Sequence, residues 1–175
     1  MIGATETRRK VDAMKTLLLM RHAKSSWDDE SMPDHDRPLN SRGEKDAPRM
    51  ARLLKGENLV PQRILTSSAV RARQTTELLN AQFDAPVPVD VIPELYHASP
   101  QEMLYVIRQQ SGDVNLLMVV GHNPGTETFV SLLNGESISI PTATIVRFDI
   151  ELSHWQELGF ETECHMCNCW RPKAI

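Results

Sequence analysis

The sequence holds no apolar stretch of membrane-spanning length, no surplus of positive charge, and only three cysteines, all near its end. Each lack removes a class of protein. A transmembrane helix needs about 20 consecutive apolar residues, whereas the run Leu17-Leu18-Leu19-Met20 stops at Arg21 and His22. Basic residues precede that run, but it is too short for the apolar core of a secretory signal. Lys and Arg total 19 against 23 Asp and Glu, a net charge of −4. Neither a nucleic-acid partner nor a membrane surface is expected from that balance. Cys164, Cys167 and Cys169 make no disulfide framework, so a reducing, cytoplasmic setting is the expectation. Any anionic ligand must be drawn by a local cluster of cations.

What is present is an ordinary globular composition. Of 175 residues, 41% are hydrophobic and 24% charged, enough for a core without staples. No internal repeat, low-complexity tract or linker divides the chain. Residues 1–14 are polar and unpatterned and read as a flexible tail; residues 15–175 read as a single domain. From Lys15 onward strand-like and helix-like signals alternate, the pattern of an α/β domain. Strands are expected at Thr16–Arg21, Arg63–Thr66, Val87–Ile92, Asn115–Val120, Thr144–Ile150 and Gly159–His165. Between them, Ser41 and Glu44 have capping-box spacing for a helix to about Lys55, stopped by Gly56. A second helix runs from about Ala69 to Asn80. Ser99, Pro100 and Glu102 open a third, to about Gln110, and Asn123-Pro124 opens a fourth, through Leu133.

Three motifs fall where strands end: Arg21-His22, the stretch Ser67–Thr75 with Arg71 and Arg73, and Gly121-His122-Asn123-Pro124-Gly125. Ligands of open α/β sheets bind outside the carboxyl ends of the strands, so one crevice can receive all three. Arginine forks hold phosphate oxygens in bidentate fashion and stay charged. A neutral imidazole can attack phosphorus. Helical spacing puts Arg71 and Arg73 on different faces, so one of them is expected in the site.

The strings LLLMRHAKSSW, DRPLNSRG, TSSAVRARQT, PELYHA and VGHNPG stand in order across nearly all of residues 15–150. Together they resemble the histidine phosphatase superfamily and, more narrowly, its SixA-type phosphohistidine phosphatase branch. The resemblance implies that His22 is the phosphorylated nucleophile, that Arg21 and Arg71 grip the phosphoryl oxygens, and that His122 donates a further hydrogen bond to them. It makes Arg37 a site-lining arginine and places Asp34 near a site-lining acid. Glu94 matches the position where many members carry a proton donor. The implied fold is a three-layer α/β/α sandwich on a mostly parallel sheet, with no metal or organic cofactor. The implied partner is a phosphorylated protein carrying phosphohistidine, or a small phosphorylated substrate.

Two departures qualify the match. Ala23 stands where the superfamily signature has Gly, so that turn must use an ordinary backbone conformation. The chain also has little room for insertions that deepen a pocket, and a shallow site suits a phosphorylated protein. The expected activity is therefore a phosphohydrolase acting through a covalent phosphohistidine intermediate. A phosphatase or mutase for a small ester, or a non-catalytic phosphate-binding module, are the alternatives. Lys24, Ser25 and Ser26 are either phosphate donors or a solvated loop, and Trp27 either walls the site or covers the core. His35, His97 and His154 read as structural or surface residues. Cys164, His165, Cys167 and Cys169 have the right chemistry for zinc, but no second pair closes a tetrahedron. The cysteines read instead as small hydrophobes, with Cys167 and Cys169 on one face of a strand.

Overall fold

Strand β1 (Met14–Arg21) is apolar on successive residues, and the pleat sends them to opposite sides of the sheet. Leu17 and Leu19 enter one buried cluster; Leu18 and Met20 enter another. The computed structural model describes residues 13–175. Most of the expected tail, residues 1–12, lies outside them, and Met14 already pairs with Glu151 in the sheet.

The other strands are β2 (Arg63–Ser67), β3 (Val89–Ile92), β4 (Leu116–Gly121), β5 (Ile145–Glu151) and β6 (Cys164–Trp170), in the sheet order β3-β2-β4-β1-β5-β6. The first four in that order are parallel to one another; β5 runs antiparallel to β1, and β6 antiparallel to β5. Helices α1 (Ser41–Gly56) and α2 (Val70–Asn80) cover one face, placing Met50, Leu54, Ala72 and Leu79 against Leu18 and Met20. Helices α3 (Pro100–Gln110) and α4 (Gly125–Asn134) cover the other, with Ile107 and Phe129 against Leu17 and Leu19. The expected three-layer α/β/α sandwich on a mostly parallel sheet is what forms.

Parallel registers set the site. Arg21 stands opposite Gly121, and Thr66 opposite Val120, so β2, β4 and β1 end level with one another. The His22 amide donates to the Gly121 carbonyl at 3.0 Å, fastening the first and third motifs together.

Three expectations shift. The cap of α1 is Asn40, whose side chain accepts from the Gly43 amide, and Ser41 is already helical. Gly43 is required there, because a Cβ would collide with the Lys24 carbonyl. Strand β6 starts at Cys164, since Gly159–Thr162 closes a turn by a Thr162 amide bond to the Gly159 carbonyl at 3.1 Å. A bulge opposite Arg147/Phe148 then changes the cysteine pattern. Cys164 and Cys169 pack on the Phe148 side, while Cys167 is shifted off it, so Cys167 and Cys169 do not share a face.

Candidate active site

The floor of the site is built from the first residues beyond three adjacent strands. His22 follows β1, Ser67 ends β2, and His122 follows β4. Arg71 lies in the first turn of α2, just past β2, and is 5% exposed, whereas Arg73 faces solvent. The Arg71 guanidinium holds the floor together. Its Nε donates to His22 Nε2 at 3.2 Å and its Nη2 lies 3.4 Å from His122 Nδ1. The two imidazole rings are 5.0 Å apart. Arg21 contributes from the end of β1, with Nη1 on the Ile140 carbonyl at 3.1 Å and a buried Nε that has no protein partner among the described residues.

Hydrogen bonds fix which nitrogen of His22 is reactive. Nδ1 sits 2.7 Å from the Ala23 carbonyl, an acceptor only, so Nδ1 carries the proton and Nε2 presents its lone pair. Ala23 does not have a left-handed backbone, and its amide donates to Thr75 Oγ1 at 3.0 Å. Burial pushes the His22 pKa down to about 4, with the Ala23 carbonyl opposing and the two arginines adding to the drop. His122 falls further, to about 2, by burial and by the neighbouring His22 and Arg71. Both rings are neutral at physiological pH. Both folded-state pKa values lie below the ordinary 6.5 of the unfolded chain, so the folded state binds fewer protons as pH falls below 6.5, down to about 4 for His22 and further for His122. Folding stability should therefore decline through that window as the pH is lowered. Proton NMR of the His22 ring should show a midpoint near 4, and a midpoint near 6.5 would contradict the buried, arginine-flanked ring.

Sequence reasoning missed Ser67 as a site residue. Its Oγ accepts from the Ala69 amide at 3.2 Å and lies 2.7 Å from His122 Nε2. A hydroxyl both donates and accepts, so Ser67 supports either neutral tautomer of His122. Beside Arg71, a donor only, Nδ1 accepts and Nε2–H donates to Ser67; when a phosphoryl oxygen takes up the guanidinium, Ser67 can donate to Nε2 and leave Nδ1–H to face that oxygen. Ser67→Ala should cost about tenfold in kcat, the scale of one hydrogen bond, with KM little changed and Ser67→Thr restoring most of the loss. An unchanged kcat in Ser67→Ala would remove this role.

Above the floor lies a cavity of about 230 Å³, walled by Lys24, Ser25, Trp27, Asp34 and His97. Ser26 is outside it. Trp27 stands 60% exposed at the rim, which answers whether it walls the site or covers the core. Asp34 lines this cavity: its carboxylate takes Arg71 Nη2 at 3.0 Å and the Tyr96 hydroxyl at 2.7 Å, and its carbonyl takes Arg71 Nη1 at 2.6 Å. Burial pushes the Asp34 carboxyl upward, but Tyr96 and Arg71 outweigh it and hold the group below the usual range.

Arg37 and Glu94 are placed elsewhere. Arg37 is buried with its guanidinium 4.1 Å from the Trp27 ring, supporting the wall from behind. Glu94 is exposed in the 3-10 turn Pro93–Leu95, which buries Leu95 and turns its neighbour outward. His97, read from sequence as a surface residue, lines the cavity and reaches Asp34 Oδ2 at 3.3 Å. The only sequence hint was its closeness to Glu94 and Tyr96. His35 supports the wall from outside, with Nε2 2.9 Å from Ser68 Oγ. Among the described residues no group of three His, Cys, Asp or Glu is arranged to hold a metal ion. Burial raises the Cys164 thiol to about 11.

Two neutral imidazoles and two arginines at the carboxyl ends of parallel strands define a class of site: one that receives a phosphoryl group and offers it a nitrogen nucleophile. A sequence profile of the histidine phosphatase superfamily (branch 1) matches residues 17–100. An uncharacterised chloroplastic protein of Arabidopsis thaliana is 36% identical over 152 residues, 82% of this chain and 70% of that protein. The phosphohistidine phosphatase SixA of Escherichia coli K12 is 28% identical over 162 residues, 91% of this chain and 99% of that protein. The crystal structure of an Agrobacterium tumefaciens protein assigned as a SixA phosphohistidine phosphatase superposes with a TM-score of 0.78 at 28% identity, covering 90% of this chain and 98% of that one. The chain belongs to the histidine phosphatase superfamily and is a phosphatase with a histidine nucleophile. Among the described residues no helix is long and apolar enough to cross a membrane.

Proposed function

We propose that this phosphatase acts in the cytoplasm on phosphohistidine carried by a protein, and that the phosphoryl group passes through His22. One observation carries the reading: the Ala23 carbonyl ties up Nδ1 of His22 and leaves the Nε2 lone pair on the cavity side. Arg71 Nε occupies that lone pair at 3.2 Å. An incoming phosphoryl group takes its place on the nitrogen and offers the guanidinium an oxygen instead.

In the first step Nε2 attacks phosphorus in line, and the P–N bond to the substrate imidazole breaks. Arg21, Arg71 and His122 hold the three equatorial oxygens, where charge gathers in the transition state. In the second step water attacks phospho-His22, the new P–N bond breaks, and inorganic phosphate leaves with Nε2 restored. A cavity of about 230 Å³ is smaller than the roughly 300–1,000 Å³ of most small-molecule pockets. It admits a phosphoryl group and part of its carrier, which suits a side chain projecting from another protein. The SixA relatives support the same substrate class.

The test is to incubate the protein with a histidine-phosphorylated peptide, quench within milliseconds, and map phosphate by mass spectrometry. Phosphate on His22 with release of inorganic phosphate is expected. Release with no adduct at any quench time would overturn the covalent route, and no release would overturn the substrate.

A further inference from the structure

Breaking the bond to an imidazole or alkoxide requires a proton on the departing atom, and the acid expected from sequence, Glu94, does not face the cavity. His122, Asp34, Tyr96 and His97 pack against one another beside the place where that atom would stand, while Lys24, also on the wall, makes no side-chain hydrogen bond among the described residues. His122 is buried with a pKa of about 2 and holds no spare proton. Asp34 is held as a carboxylate by Tyr96 and Arg71. The Tyr96 hydroxyl is committed to Asp34 at 2.7 Å. The fourth is His97.

The position of His97 is built, not incidental. Its backbone is left-handed, with φ of 52°, a conformation that a residue with a side chain adopts at a cost of about 1 kcal/mol or more. The ring is clamped on two sides: Nε2 lies 3.3 Å from Asp34 Oδ2, and the Tyr96 ring is 4.0 Å away. It stands 5.8 Å from the His122 ring, across the mouth of the phosphoryl cavity. Its side chain is 55% exposed, so it can exchange protons with solvent between turnovers. A second cavity, of about 330 Å³, adjoins the first and is lined by Ala98, Pro100 and Pro124; His97 and Asn123 belong to both. The leaving group therefore passes His97 as it departs.

Resting on the phosphatase reading above, we propose that His97 is the proton donor to the leaving group, with Asp34 orienting its ring and the adjoining cavity receiving the departing side chain. As the substrate P–N bond breaks, its electron pair stays on the substrate nitrogen, which takes the His97 proton. His97 is then neutral. It accepts a proton from the water that attacks phospho-His22, and the electron pair of that second P–N bond returns to His22 Nε2. Both protons are accounted for at one imidazole, the economy that microscopic reversibility asks of an acid that becomes a base.

The test compares His97→Asn with the unaltered protein on two phosphoryl donors. Asn tolerates a left-handed backbone and cannot donate as an acid. A histidine-phosphorylated peptide needs leaving-group protonation; 4-nitrophenyl phosphate does not, because its phenolate leaves unaided. His97→Asn should lose about 10²-fold in kcat/KM on the peptide, as expected for a missing general acid, and less than about threefold on the nitrophenyl ester. Equal losses on both donors, or no loss on either, would overturn the proposal. His97→Gln, measured alongside, gives the same split and guards against a variant that fails to fold. If the unaltered protein releases phosphate from neither donor, the phosphatase reading itself fails. A leaving-group split without any trapped phospho-His22 would instead remove the covalent route and leave His97 standing.

Discussion

His22→Ala is expected to lower phosphohistidine turnover by on the order of 10⁵- to 10⁶-fold, the scale of removing a hydrolase nucleophile. Nothing nearby can replace the lost nitrogen. His122, with its ring 5.0 Å away, has Nε2 on Ser67 and Nδ1 beside Arg71. Water attacking the substrate directly, even with His97 as its base, would forgo the nitrogen nucleophile that faces the cavity. The fold should survive, because among the described residues the His22 ring makes only two hydrogen bonds, to the Ala23 carbonyl and from Arg71, and its backbone pairing is one that Ala keeps. Orthovanadate binding and thermal unfolding report the intact site. Residual turnover within about 100-fold of the unaltered protein, far above that nucleophile-removal scale, would sink the assignment of His22.

Arg71→Ala should cost about 10²- to 10³-fold in kcat, or roughly 3–4 kcal/mol of transition-state stabilisation. The loss is large because one guanidinium touches both histidines and anchors Asp34 through side chain and carbonyl, and in the proposed mechanism it also supplies charge to the phosphoryl oxygens. Arg71→Lys should recover little, since an ammonium cannot span those partners with a planar fork. Arg73→Ala, on the solvent side of the same helix, serves as the control. Comparable kinetics for Arg71→Ala and Arg73→Ala would place Arg71 outside the chemistry. Kinetics with the phosphorylated peptide decide it.

The floor of this site was legible in the sequence, and the wall was not. Arg21, His22 and His122 follow apolar runs long enough to be read as buried strands, and a parallel sheet levels the ends of such strands. Helical periodicity separated Arg71 from Arg73, and burial of the first agrees. The wall depends on pairings that no local pattern announces. Asp34 meets Tyr96 across 62 positions of sequence, and His97 arrives through a left-handed residue that is not Gly. Glu94 failed to reach the cavity because the neighbouring Leu95 is the residue that the turn buries. Cys167 left the expected face for a comparable reason: it is the extra residue of a bulge, unpaired between Met166 opposite Phe148 and Asn168 opposite Arg147, which no local pattern in β6 announces.

That division between floor and wall has a consequence for how such a protein changes over generations. The reactive groups are fastened to three central strands whose side chains are almost wholly buried. The residues that wall the cavity, Trp27, Asp34 and His97 among them, sit on the connections instead. Connections tolerate substitution and insertion far better than core strands do. A descendant that keeps Asp34 and His97 can therefore acquire a new phosphorylated partner by remodelling Trp27–Pro33 while inheriting the chemistry intact, so reactivity and preference evolve as separable traits.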